Sequence, residues 1–206
     1  MLETTILQTL TRAEALNDQS TSDHALRLVP LVEATAHFLH FSKERIRLLT
    51  LAARLHDIGK ISIPQTVLQK AGPLSCEEWS LMRGHAEVGH SMLLQIGGTF
   101  ARIAPFVLAH HERWDGAGYP FGLEGEQIPL EARIIAVADS FDAMRNQRSY
   151  RKPLSLLEAC IELTLGAQVQ FDPQVVDAFL ASVGEQQYAL TPLLTHPEPA
   201  CFVATA

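Results

Sequence analysis

"KERIRLLTLAARLHDIG", residues 43–59, sets the reading of the whole chain. Ser42 stands where an N-cap is wanted, and Gly59 supplies a helix stop. The residues leading to His56 and Asp57 are mostly apolar, so the pair sits at the end of a helix that faces the interior. An ionised aspartate buried there without a partner is costly, so Asp57 demands a cation or strong donors.

The same helical grammar extends in both directions. Upstream, "MLETTILQTLTRAEALN" (1–17) is a weakly amphipathic helix. The polar stretch "NDQSTSD" (17–23) reads as a break, and the next helix runs through "HALRLVPLVEATAHFLH" (24–40) with Pro30 early in it. Downstream, Ser75 and Glu78 form a capping box that opens a helix to about Ile96. Further helices are expected in "FARIAPFVLAHH" (100–111), "LEARIIAVADSFDAM" (130–144) and "SLLEACIELTL" (155–165), the last with a second capping box from Ser155 to Glu158. "FDPQVVDAFL" (171–180) starts with Asp172 as cap and Pro173 in the first turn. No strand-type alternation, internal repeat or low-complexity run is evident. The organisation expected is an N-terminal helix over 1–17, a helical domain over 18–187 and an irregular tail over 188–206.

Between the helices, "WDGAGYPFGLEGEQIP" (114–129) is the longest irregular stretch, with four glycines and two prolines. Loops beyond about 12–15 residues are usually functional or disordered. Trp114, Tyr119 and Phe121 favour a packed, functional loop.

Composition narrows the function classes. A chain of 206 residues with 47% hydrophobic and 19% charged residues has the make-up of one globular domain with a substantial core. Its net charge of −7, from 16 basic and 23 acidic residues, argues against a broad nucleic-acid footprint. A small phosphate-bearing ligand remains compatible with that balance. No window approaches about 18 uninterrupted apolar residues, and the N-terminus lacks signal-peptide features. Cys76, Cys160 and Cys201 lack zinc-type spacing and fit reduced thiols in a cytoplasmic protein.

The candidate chemistry lies in histidines and acids. Asp139 repeats the situation of Asp57: Ile135 and Ala136, one turn back, mark an apolar helix face. His24, His85 and the pair His110 and His111 complete an order of histidines and acids that suggests a buried metal centre. Adjacent helical residues point about 100° apart, so His110 and His111 can converge on one ion only where a helix is ending. Nitrogen and oxygen donors without thiolate favour iron, manganese or similar divalent ions. His37, His40, His90 and His196 read as ordinary core or surface residues.

Taken in order, these motifs resemble the HD-GYP family of phosphohydrolases, which degrade the bacterial messenger cyclic di-GMP. The resemblance covers about residues 15–182. It rests on "HALRL" at His24, "LHDIGKISIP" (55–64), "GHAEVG" (84–89), the run from "HHERWDGAGYP" (110–120) to "ADSFDAM" (138–144), "RSYRK" (148–152) and "QFDPQVVDAF" (170–179). It implies an all-α HD-domain bundle with a long loop carrying Gly118-Tyr119-Pro120 beside the ligand site. It implies a two-metal centre held by His24, His56, Asp57, His85, His110, His111 and Asp139, with Asp57 bridging. A hydroxide activated by both ions would cleave cyclic di-GMP, with Lys60 neutralising the phosphate. Arg148, Arg151 and Lys152 would clamp phosphate, and Tyr119 would contact substrate. The loop is implied as a docking surface for diguanylate cyclase (GGDEF) domains.

Departures from the family pattern refine these expectations. Ser20 stands where members with a third metal carry a glutamate, so two ions and linear pGpG as the main product are expected. Ser149 and Gln168 replace a usual proline and a common glycine without touching a proposed ligand. A cyclic di-GMP sensor with little turnover, and a hydrolase of another cyclic dinucleotide, are the alternatives.

Overall fold

The computed structural model describes residues 2–146 and 152–194. Their α-helices are α1 (Leu2–Asn17), α2 (Gln19–Phe38), α3 (Lys43–Leu55), α4 (Gln65–Leu68) and α5 (Cys76–Arg83). The chain continues through α6 (His85–Ile96), α7 (Gly98–Leu108), α8 (Leu130–Arg145), α9 (Leu156–Gly166) and α10 (Pro173–Leu194). Short 3-10 turns lie at Ile58–Ser62 and Gly125–Gln127. Among the described residues β-structure is limited to isolated bridges, and the fold is an all-α HD-type bundle.

The opening stretch forms the centre of that bundle. Ser42 accepts from the Arg45 N–H and caps α3. Ile46, Leu48, Leu49, Leu51, Ala52, Ala53 and Leu55 are all buried, so α3 is covered on more than one side. It packs between α2 and α7, while α8 and α10 close against α2 and α6 pairs with α7. Leu28 and Val32 of α2, Leu93 of α6, Ile103 and Val107 of α7, and Ile134 and Ile135 of α8 complete the core around it. Burying each such side chain contributes about 1.5–3 kcal/mol.

Three boundaries differ from the sequence reading. The polar stretch 17–23 is interrupted only at Asp18, and α2 begins at Gln19. The Asp18 carboxylate accepts from the Ser20 N–H at 2.9 Å and the Thr21 hydroxyl at 2.8 Å, which turns a polar run into a helix start. The helix expected from Ser75 to Ile96 is divided at Gly84 into α5 and α6. At the other end, α10 runs to Leu194, past Tyr188 where an irregular tail was expected. Glu185, Gln186, Gln187, Ala189 and Leu190 are good helix formers and carry it onward. Among the described residues no helix is long and apolar enough to cross a membrane.

Candidate metal centre

Five segments converge at one end of α3. The chain leaves α3 through His56 and Asp57 into the 3-10 turn, which holds Gly59. A Cβ on Gly59 would fall 1.9 Å from the His85 carbonyl oxygen and 2.6 Å from the Gly89 nitrogen. Glycine therefore lets this turn lie directly on α6 and brings Asp57 to His85, the first residue of that helix. From the other side α7 ends at Leu108, and His110 and His111 sit in the turn that follows. His24 comes from α2 and Asp139 from α8.

The seven side chains form two groups. Ligand atoms of Asp57, His85, His110 and His111 lie within 4.8 Å of one another, as do those of His24, His56 and Asp139. Asp57 faces both groups: its Oδ2 is 3.3 Å from His56 Nε2, and its Oδ1 is 3.3 Å from His85 Nε2.

Backbone carbonyls set the tautomers. His56, His85 and His110 direct Nδ1 at the carbonyl oxygens of Ala53, Met82 and Val107, at 2.8, 2.6 and 2.5 Å. With Nδ1–H donating, each Nε2 presents a lone pair to the centre. His85 Nε2 and His110 Nε2 then face each other at 3.3 Å. Asp57 Oδ1 is buried and accepts no hydrogen bond. Two opposed lone pairs and an unpartnered carboxylate oxygen fit a cation, and the donor set suits a divalent ion of the iron or manganese type.

Electrostatics agree with that fit. Burial, reinforced by neighbouring imidazoles, pushes His110 well below the usual histidine range, and burial takes His111 down to about 4. Burial likewise lowers His85. These rings are neutral and available to a metal at physiological pH. Burial opposes ionisation of Asp57, but the charges of Lys60 and His56 overcome it and hold the carboxyl well below its usual value. Burial would also lower His24, yet hydrogen bonds to Asp139 and Asp142 carry it up to about 9. A metal at that position competes with a proton.

Further residues orient these groups. His24 Nε2 lies 3.0 Å from Asp139 Oδ1 and its Nδ1 lies 2.6 Å from Asp142 Oδ2. Arg27 donates to both Asp142 oxygens, at 2.8 and 2.9 Å, so Asp142 positions the histidine. Lys60 Nζ donates to Asp57 Oδ2 at 2.6 Å. In a 3-10 turn residues three apart eclipse, which stacks the ammonium over the carboxylate.

The glycine-rich loop is tied to the same centre. A Cβ on Gly118 would fall 2.4 Å from the Arg113 nitrogen and 2.5 Å from Glu112 Cα. That close approach folds the loop back on the histidine pair. Buried Glu112 accepts from the Phe121 and Leu123 N–H groups at 2.8 and 3.1 Å. Tyr119 stacks on His111 with ring centroids 4.8 Å apart, and the Arg83 guanidinium lies over the Tyr119 ring at 4.4 Å. Asp115 accepts from Arg113 and the Ala117 N–H and serves loop geometry.

All seven expected ligands, Lys60 and Tyr119 thus meet at one place. Lys152 is exposed, and Arg148 and Arg151 lie outside the described residues. Sequence reasoning missed three residues here: Glu14, Arg83 and Glu112. Glu14 is 3% exposed, with both carboxylate oxygens lacking a hydrogen-bond partner. Burial pushes it up to about 7, with His56, Asp57, Lys60 and His24 among its electrostatic neighbours. It follows Leu10 by one turn on the packed side of α1, and that spacing was a readable signal. Arg83 and Glu112 carried no such signal, because tertiary packing alone gives them their neighbours.

The HD domain family profile matches residues 8–175. The chain is 42% identical over 175 residues to the cyclic di-GMP phosphodiesterase response regulator RpfG of Xanthomonas campestris pv. campestris, covering 84% of this chain and 46% of that protein. It is 34% identical over 176 residues to 3'3'-cGAMP-specific phosphodiesterase 2 of Vibrio cholerae serotype O1, covering 85% of this chain and 34% of that protein. The chain thus spans less than half the length of these curated relatives. Among solved structures, the cyclic GMP-AMP specific phosphodiesterase V-cGAP3 of V. cholerae superimposes with a TM-score of 0.68 at 20% identity, over 95% of this chain and 53% of that one. That likeness shows the fold.

Proposed function

The chain belongs to the HD-GYP group of HD-domain proteins, and from that premise we propose that it is a metal-dependent phosphodiesterase hydrolysing cyclic di-GMP, mainly to linear pGpG. The observation that carries the proposal is the Asp57 carboxylate, whose two oxygens face two separate groups of nitrogen and oxygen donors. Such a carboxylate is suited to bridge a pair of ions. The ions proposed are iron or manganese, and when bound they supply Lewis acidity and bring a water's pKa toward neutrality.

The chain's own residues then have distinct tasks. His24, His56 and Asp139 would hold one ion, His85, His110 and His111 would hold the other, and the Asp57 carboxylate would be shared by both groups. Lys60 balances the Asp57 charge and offers an ammonium to a phosphate oxygen. Tyr119, which stacks on His111 and lies under the Arg83 guanidinium, is proposed as the rim against which the substrate rests. Arg148, Arg151 and Lys152 are proposed as phosphate clamps, arginine offering paired N–H donors. The catalytic unit proposed is 18–187, with α1 bound to it through an Asn17 hydrogen bond to the Lys60 carbonyl at 3.2 Å.

Ser20 in place of an acid supports two ions rather than three, and pGpG rather than GMP as the main product. A cytoplasmic location is proposed, in keeping with the messenger and with free thiols at Cys76 and Cys160. The loop around Phe121, which is 65% exposed, is proposed to dock GGDEF domains. Replacing Tyr119 and Pro120 by alanine is expected to abolish capture of such a domain in pull-downs; retained capture contradicts the docking role.

Anaerobic protein reconstituted with Fe(II) or Mn(II), incubated with cyclic di-GMP and resolved by chromatography, tests the main reading. Accumulation of pGpG supports it. Tight binding without product would instead assign a sensor. The 34% identical relative named for 3'3'-cGAMP favours a second reading, hydrolysis of a mixed cyclic dinucleotide, and competition between the two substrates in the same assay decides between them.

A further inference from the structure

α9 is apolar on two opposite sides. Ala159 and Leu163 are fully buried and belong to the core of the bundle. Ile161 stands two residues from each of them, about 160° around a helix of ~3.6 residues per turn, and so faces away from the bundle. Leu157 and Leu165 flank it one turn before and one turn after, and in chain order the three are 70%, 48% and 71% exposed. With exposed Val169 in the turn that follows, they leave on the order of 400 Å² of apolar surface open, as large as the functional patches of many monomers. Single apolar residues on a surface are ordinary, but a helix apolar on opposite sides is normally covered on both.

The two flanks of this stripe carry opposite charge. On one side lie Glu158 and Glu162, each one residue beyond a stripe position. On the other lie Cys160 and Thr164, and there Arg145 of α8 supplies the charge. Its guanidinium donates to the Leu154 carbonyl at 2.8 Å and its field reaches Cys160. Arg145 and Glu162 are both exposed. A second copy, related by a twofold axis running along the helices, brings the Glu162 flank of one α9 against the Arg145 flank of the other. The same operation sets Ile161 on Ile161 with leucines on both sides. Rows at four-residue spacing are the ridges that interdigitate in the commonest class of helix packing. The apolar stripe amounts to about half of the roughly 800 Å² that each partner buries in a standard interface, and the charged flanks supply the polar rim.

We infer that the outer face of α9 is the interface of a twofold dimer of this chain, with Leu157, Ile161 and Leu165 as its apolar centre and Glu162 of each copy opposite Arg145 of the other. The inference is independent of the proposed reaction, because α9 contributes no donor to the metal centre.

Sedimentation velocity of the full chain, from submicromolar to high micromolar concentration, tests the interface. A monomer–dimer equilibrium is expected. Ile161→Glu places a charge at the centre of the stripe and should raise the dissociation constant by about 100-fold or more, the scale of losing a central anchor. Glu162→Arg sets like charges on the flank and should weaken the dimer by about fivefold, the scale of an exposed ion pair. Circular dichroism of each variant checks that the helices are kept. Leu165→Ser, at the most exposed stripe position, gives a second reading should Ile161→Glu fold poorly, and it too should shift the equilibrium toward monomer. A chain that stays monomeric throughout the series overturns the inference, as does a dimer that neither Ile161→Glu nor Leu165→Ser weakens. A monomer that becomes a dimer once residues 195–206 are removed also overturns it, because that segment rather than a second copy would then cover α9.

Discussion

Lys60 and Glu14 show how single residues divide the work around Asp57. Lys60 touches the carboxylate but belongs to neither group of metal donors. Lys60→Ala should therefore keep most of the metal and lose turnover by about 100-fold or more, the scale of removing one charge-stabilising donor. Parallel loss of metal would make it a structural partner of Asp57. Glu14 has the opposite character, being charged at a cost. Its folded-state value of about 7 exceeds its ordinary 4.5, so the folded protein binds its proton more tightly. The protonated form is favourable below pH 4.5, and stability is lost as pH rises from there through 7. Full ionisation costs about 3 kcal/mol. Chelator-treated protein is thus expected to unfold at lower denaturant concentration at pH 8 than at pH 6, and Glu14→Gln should flatten that dependence. An unchanged slope in the variant would remove Glu14 from the account.

Helix ends and turns explain why the site forms at all. Gly59 permits contact between the 3-10 turn and α6, and Gly118 permits the loop to return onto the histidine turn. Gly59→Ala should cost about 3 kcal/mol through forced displacement of the His85 backbone, and should lower metal content with it. Denaturant unfolding beside metal analysis checks this; a variant of ordinary stability and full metal content contradicts it. The elements were largely legible. Ser42, the two capping boxes and the apolar pattern of α3 marked helices where they stand. The stretch 17–23 misled because Ser, Thr and Asp serve both breaks and helix starts, and only the Asp18 hydrogen bonds decide between them. The residues that gather in the candidate metal centre were legible because acids on apolar faces are expensive without a cation. Arg83 and Glu112 were not, since their roles depend on a loop folding over them.

At the scale of the molecule, the bundle assembles donors far apart in sequence around one carboxylate. α2, the end of α3, the start of α6, the turn after α7 and α8 each contribute donors, and no single segment supplies a whole group of them. The central claim is a pair of ions joined by Asp57. Elemental analysis of anaerobically prepared protein and of Asp57→Ala tests it most directly. Two divalent ions per chain are expected in the unsubstituted protein, with loss of both when the shared carboxylate is removed. Two ions retained in Asp57→Ala would contradict the bridge.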